Sequence, residues 1–402
     1  MKTPCHLRAL ALIAAFLTVM ILSAVSAADQ PIDWQRAQAL HRRDQQGETL
    51  NAEERAYLER AKRERRGRAQ AGERPQGRER TGLVPITEMG KQRYKGQSGG
   101  LYGNGQNVPP EPHRKAAERQ TALIRPLDAA GYPSDTGKIA LISLGMSNTT
   151  QEFSAFQKLA DADPNKSPRV VLVDCAQGGQ AAHQWAYPEK AAARKKPSPW
   201  VVLDERLRKA RVAAPQVQVV WLKQAQMAPA RLGEFPAHAE SLRDDVAVIL
   251  RQLKSRFPNL RIAYLSGRIY AGYATTQLNP EPYAYESAFS VRWLIEAQIK
   301  GDPELNHDPA KGKVKAPLLL WGPYLWADGT EPRQGDGLVW KRDDLAQDGT
   351  HPSTSGREKV AQMLLTFFKT DVRTRMWFLN EATVGSCRRP EHYSAFVFPS
   401  SP

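Results

Sequence analysis

The chain has 402 residues, three cysteines and a formal net charge of +15 at neutral pH. That length suits one large domain or two small ones, and three cysteines are too few for a disulfide-built scaffold or a cysteine zinc site. The positive charge suits nucleic acid or an anionic surface. No helix-turn-helix, zinc-finger or RNA-binding signature accompanies it, so the expectation is a solvated basic surface without nucleic acid, able to associate with acidic polysaccharide or a cell envelope.

Lys2 and Arg8 precede an apolar run from Ala9 to Val25, and Val25 and Ala27 fit the small-residue rule for cleavage. A run of about 17 residues is at the short end for a membrane span. Residues 1–27 therefore read as a secretory signal peptide, with an uncleaved anchor as the alternative, and the mature chain is expected in the periplasm or outside the cell. Removal of the signal leaves Cys175 and Cys387, which export allows to be one bridge or two separate buried thiols.

Residues 28–80 read as a charged helical hairpin and linker. "DWQRAQALHRR" and "NAEERAYLERAKRERR" both carry helical pattern, and Asn51 with Glu54 three residues on forms a capping-box signature. The apolar face is thin, with Trp34, Leu40, Leu50, Tyr57 and Leu58, so the hairpin reads as an appendage. "AGERPQGRER" (71–80) reads as a flexible linker. Residues 81–137 form a loop-rich extension expected to pack on the core, with a helix candidate at 113–127. Its "GGLYGNG" is a poor phosphate loop, because no strand precedes it and no helix follows.

From 138 to 402 the pattern is regular. Near-continuous apolar runs at 138–145, 169–176, 217–225, 260–267 and 316–323 predict strands buried on both faces. Helical patterns at 149–161, 238–257, 282–301 and 353–370 separate or follow them. This alternation predicts a three-layer α/β/α sandwich with a central parallel sheet, whose chemistry collects at the carboxyl edge of the strands.

Three strand ends and one late loop carry candidate residues: Ser147 in "GMSNTTQ", Gly178 and Gly179 in "DCAQGGQAAHQW", Gln224 and Gln226 in "WLKQAQMAP", and Asp348 and His351 in "QDGTHPSTSG". A serine hydroxyl needs a base within hydrogen-bond reach to act as a nucleophile. An imidazole can take that proton and return it, and a carboxylate on its other nitrogen fixes the tautomer. The developing oxyanion needs fixed donors. Each block also has a plainer use: Ser147 as a helix cap or turn residue, the two glycines as tight packing, and His351 as a loop residue beside a helix that Ser353 can cap.

In this order the blocks resemble the SGNH (GDSL-like) hydrolases, closest to the acetylxylan and sialate O-acetylesterase branch, over about residues 138 to 370. The resemblance implies a flavodoxin-like sheet and a secreted esterase removing small acyl groups, chiefly acetyl, from carbohydrate without a cofactor. It assigns Ser147 as nucleophile, His351 as base and Asp348 as its orienting acid. The oxyanion donors it implies are Ser147, Gly179 (Gly178 being the off-by-one alternative) and, where the family has asparagine, Gln226 or else Gln224. Met146 also departs from the family's serine block. Asn148, Trp185 and Trp340 are assigned to substrate binding. Trp185, Trp321, Tyr324, Trp326 and Trp340 offer aromatic faces for a sugar, although core packing is the plainer use of each.

Glu281 and Glu286 could serve as paired acid and base, but the prolines around Glu281 favour helix entry and capping. His183, His238 and His307 lack a spacing that suggests a metal, so none is expected. The alternative to an esterase is a catalytically silent carbohydrate-binding or envelope-interaction protein on the same scaffold. Nothing in the sequence sets the oligomeric state.

Overall fold

A computed structural model describes residues 32–45, 48–71, 77–191 and 197–380. The signal-peptide assignment and Cys387 lie outside the described residues. The chain divides into two compact units, Met1–Ala71 and Gly72–Pro402.

In the first unit, α1 (Trp34–Gln45) and α2 (Ala52–Ala71) pack together. Asn51 Oδ1 accepts the Glu54 N–H at 2.8 Å and Glu54 Oε2 accepts the Asn51 N–H at 3.0 Å, the reciprocal capping box that the sequence predicts. Asp33 caps α1 by accepting the Gln35 N–H at 2.9 Å. The contact surface is small: Ile32, Ala37 and Ala61 form one cluster, and Leu40, Leu50 and Leu58 another.

The second unit begins with irregular chain held by polar contacts. Asp328 accepts the Thr81 and Gly82 N–H groups at 2.7 and 2.8 Å. Residues 77–80, expected to be a flexible linker, are fixed instead, because the Arg78 N–H donates to Gly272 O and the Arg78 carbonyl accepts the Tyr270 hydroxyl, both at 2.7 Å. A short ribbon pairs Arg93–Tyr94 with Gln97–Ser98, and α3 spans Glu111–Ala122.

The core is a five-stranded parallel sheet: β1 (Ile139–Gly145), β2 (Val170–Asp174), β3 (Val217–Lys223), β4 (Ile262–Leu265) and β5 (Leu318–Trp321). The order is β2-β1-β3-β4-β5 and every pairing is parallel, which is the flavodoxin-like order. β1, β3, β4 and β5 are buried at every residue, as continuous apolar runs require when helices cover both faces.

The helices around it include α4 (Ser147–Asp161), the short α5 (Ala182–Ala186), α6 (Pro199–Lys209), α7 (Ala237–Arg256), α8 (Tyr283–Ile299), α9 (Thr354–Thr370) and the short α10 (Arg375–Phe378). Phe156 of α4 stacks on Phe368 of α9 with centroids 5.5 Å apart. α7 packs on α5 and α8, where the Ser290 hydroxyl donates to Ala239 O at 2.7 Å. The sequence reading did not include α6, although its signals are present: Ser198 accepts the Trp200 N–H, Pro199 opens the helix, and Trp200, Leu203 and Leu207 form its buried stripe.

Candidate active site

β1 ends at Gly145, and the chain passes through Met146 in extended conformation directly into α4, whose first residue is Ser147. The turn is tight enough to require glycine. A Cβ on Gly145 would lie 2.2 Å from both Lys223 O and Thr149 Oγ1. Thr149 in turn donates to Lys223 O at 2.7 Å, locking the start of α4 to the end of β3. As a first-turn residue, Ser147 has an N–H with no intrahelical acceptor.

The second part comes from the loop before α9. Gly349 adopts φ +63°, and a Cβ there would lie 1.8 Å from Tyr273 O, so only glycine lets this loop approach the 270s segment. Asp348 Oδ1 accepts the Thr350 and His351 N–H groups, each at 3.0 Å, and its Oδ2 lies 2.5 Å from His351 Nδ1. Burial alone would push the Asp348 carboxyl up, but the hydrogen bonds from the His351 backbone, the His351 ring and the Thr350 backbone hold it below its ordinary value. With Nδ1–H directed to the carboxylate, Nε2 is left to accept. It lies 2.8 Å from Ser147 Oγ across 204 positions of sequence. Asn148 ties the two parts together, its Nδ2 donating to Thr350 O at 2.9 Å. The serine–imidazole–carboxylate chain is thus continuous and partly open to solvent.

The strand register explains the glycine block. Ser143 pairs with Asp174, and continuing that pairing sets Ser147 beside Gly178. A Cβ on Gly178 would lie 3.8 Å from Ser147 Cβ, whereas one on Gly179 would meet nothing within 4 Å. Gly178 is therefore the glycine against the serine, one residue before the assignment drawn from the sequence. Neither glycine's N–H has an acceptor among the described residues.

Four further assignments are corrected. Gln226 Nε2 donates to Asp245 Oδ2 at 2.7 Å, because the buried Asp245 of α7 needs a donor, so its amide is committed there instead of to an oxyanion. Gln224 is less committed, with its Nε2 at 3.5 Å from Gln180 O and its Oε1 at 3.3 Å from the Ala225 N–H, both at the outer limit of a hydrogen bond. Trp185 and Trp340 are fully buried. Trp185 packs edge-on against Trp200, and the Trp340 indole N–H donates to Leu325 O, so neither offers a face to a sugar. Trp321, Tyr324 and Trp326 are likewise buried. Asn148 is buried too, and its amide holds the histidine loop instead of facing a substrate.

Glu281 accepts the Tyr285 N–H at 2.9 Å at the start of α8 and the Trp326 indole N–H at 2.8 Å. This is the capping use, and burial raises its carboxyl to about 7. Glu286 is buried against His238, Tyr94 and Lys95. Among the described residues no group of His, Cys, Asp and Glu is placed to hold a metal ion, and no helix is long and apolar enough to cross a membrane. Cys175 is buried, and its thiol is pushed up by that burial.

Sequence reasoning missed a charged cluster between α4 and the end of β3. Lys223, at the end of β3, is bonded to both oxygens of Glu152 on α4, and both side chains are buried. Burial lowers the Lys223 ammonium to about 8 and raises the Glu152 carboxyl. Arg268, three residues past β4, is buried beside them. The available signal was a charge inside or directly after an apolar run.

The fold and these contacts define an α/β protein of flavodoxin-like sheet order with a Ser–His–Asp chain at its carboxyl edge. No protein-family model matches the sequence, and no curated protein matches it. Among solved structures, BT4096, a gut microbial diltiazem-metabolizing enzyme, is similar at 14% identity and a TM-score of 0.30, with 60% of this chain and 48% of that chain covered. The present chain therefore spans about half the length of that protein. An extracellular lipase from Streptomyces rimosus is similar at 12% identity and a TM-score of 0.28, with 56% of this chain and 99% of that chain covered.

Proposed function

We propose that the chain is an exported serine esterase of the SGNH type that hydrolyses small acyl esters, chiefly acetyl groups on carbohydrate. The observation that carries this reading is the continuous contact from Ser147 Oγ through His351 to Asp348. Ser147 Oγ attacks the ester carbonyl while His351 Nε2 takes its proton. The tetrahedral oxyanion is held by the backbone N–H groups of Ser147 and of the Gly178–Gly179 turn. His351 then gives the proton to the leaving alcohol. Water, deprotonated by the same imidazole, attacks the acyl-enzyme, releases the acid and restores Ser147. Asp348 fixes the Nδ1–H tautomer and offsets the imidazolium charge. Export rests on the N-terminal leader pattern.

The second reading, a catalytically silent carbohydrate-binding or envelope-interaction protein, draws on one observation. The Gln226 amide, expected to serve the oxyanion, is spent on Asp245. Labelling by a fluorophosphonate probe followed by peptide mapping decides between them. Modification at Ser147, with turnover of p-nitrophenyl acetate, supports the esterase; an unlabelled, inactive protein that still binds polysaccharide supports the silent scaffold.

A further inference from the structure

We infer that Arg268 is a specificity residue of this site, binding a carboxylate carried by the substrate, so that the ester cleaved sits on a carboxylated sugar. The inference rests on the esterase reading for the word substrate; the anion site itself stands on the following observations.

Arg268 is 4% exposed. Its Nε and Nη2 are buried and have no hydrogen-bond partner. A guanidinium taken out of water without acceptors is costly, and such groups are retained where something else completes them. The carboxylates near enough to act on its charge are Glu152, Glu281 and Asp348. All three are committed to other donors. Glu152 has both oxygens on Lys223. Glu281 accepts from the Ala271, Tyr285 and Trp326 N–H groups. Asp348 accepts from Thr350 and His351. Because Lys223 already neutralises Glu152, the cluster keeps one positive charge without a bonded partner.

Register places the backbone that carries that charge at the catalytic edge. Gly145 pairs with Lys223 and Leu222 with Leu265, and the Ser266 N–H continues the second pairing by donating to Leu222 O at 3.0 Å. These pairings set Gly145, Lys223 and Ser266 in one row across the tips of β1, β3 and β4, with Ser147 and Arg268 each two residues beyond it. At about 4.8 Å per strand step, the Gly145 and Ser266 backbones, from which Ser147 and Arg268 each follow two residues on, are roughly 10 Å apart, a span that one sugar ring and its ester arm can bridge. The segment that carries Arg268 also runs to the catalytic loop, where the Thr275 N–H donates to Asp348 O at 3.0 Å. A planar fork with free N–H groups suits a carboxylate, and the chain's net charge of +15 favours approach of a polyanion.

The test compares acetylated glucuronate and galacturonate with their uncharged C6 carboxamides. With the full-length protein, kcat/KM for at least one acid should exceed that for its carboxamide by about 10- to 100-fold, the worth of a charged hydrogen bond. In Arg268→Gln and Arg268→Lys that ratio should fall toward one for Gln and recover partly for Lys, mostly through KM. Because the Arg268 variants could fail to fold, calorimetry on Ser147→Ala measures binding of the same pairs with Arg268 in place. Acid preference there supports the subsite even if no ester is turned over, an outcome that would overturn the esterase reading alone. Equal binding of acid and carboxamide for both sugars would overturn the subsite while leaving esterase activity intact.

Discussion

Asn148 Nδ2 donates to Thr350 O at 2.9 Å and thereby joins the residue after the serine to the residue before the histidine. Both residues are buried, so the bond is shielded from water and fixes the distance between the two halves of the site. Without it the histidine loop keeps the Thr275 bond to Asp348 O, the Arg342 guanidinium on Ala346 O and Gln347 O, and its own turn. Asn148→Ala leaves the Thr350 carbonyl buried and unpaired, at a cost of about 1–3 kcal/mol. It also loosens the Ser147–His351 approach, where a displacement of about 1 Å is worth roughly 100-fold in rate. A fall in kcat larger than any rise in KM for p-nitrophenyl acetate is expected; an unchanged kcat would sink this account of Asn148.

The proposed chemistry makes the three contacting residues unequal. Ser147→Ala should abolish both turnover and fluorophosphonate labelling. Asp348→Asn keeps the shape but favours the wrong tautomer, and a fall of about 10⁴-fold in kcat is expected by comparison with other Ser–His–Asp enzymes. Steady-state kinetics on purified protein, with circular dichroism to show that the fold persists, measure both.

Asp348 also links stability to pH. Its folded value lies below the ordinary 3.8, so its contribution to stability is fully present above 3.8 and is lost as pH falls through the lower folded value. Denaturant unfolding of wild type and Asp348→Asn should show a stability gap in favour of wild type that is constant near neutrality and closes below about pH 4. A gap that widened on acidification would contradict the hydrogen-bond account of the depressed carboxyl.

The two glutamines after β3 separate by their partners. Gln226→Ala removes the donor to the buried Asp245 and should lower stability by about 1–3 kcal/mol, with little effect on kcat because that amide is already committed. Gln224 keeps its amide near the glycine turn with two long, weak hydrogen bonds. Gln224→Ala should therefore act mainly on kcat. Melting temperature and kcat measured together distinguish the two, and the reverse pattern would return Gln226 to the oxyanion.

Gly145→Ala places a methyl against Lys223 O, a backbone atom that cannot swing aside. Overpacking of this kind costs about 1–3 kcal/mol or more. It also pushes α4, and Ser147 with it, away from β3. Loss of both melting temperature and activity is expected, whereas Gly301→Ala, at a positive-φ turn with open space, should cost stability without moving the site. Equal effects on activity would show that the close approach at Gly145 does not set the serine.

Local chemistry made much of this protein legible from its residues alone. Five apolar runs became five parallel strands because uninterrupted β-branched and leucine-rich stretches suit burial on both faces. Asn51 and Glu54 closed their capping box because that bond pattern needs only four consecutive residues. Asp348 reached His351 for the same reason, across one glycine turn. What the order of residues could not decide was orientation. Register made Gly178, not Gly179, the neighbour of Ser147. A buried aspartate on a distant helix claimed the amide of Gln226. The same burial that defines the core took up the aromatic residues that composition alone offers to a sugar. Short-range hydrogen bonds and hydrophobic period are written in neighbouring residues, whereas the direction in which a long side chain turns depends on which unsatisfied group the fold brings beside it.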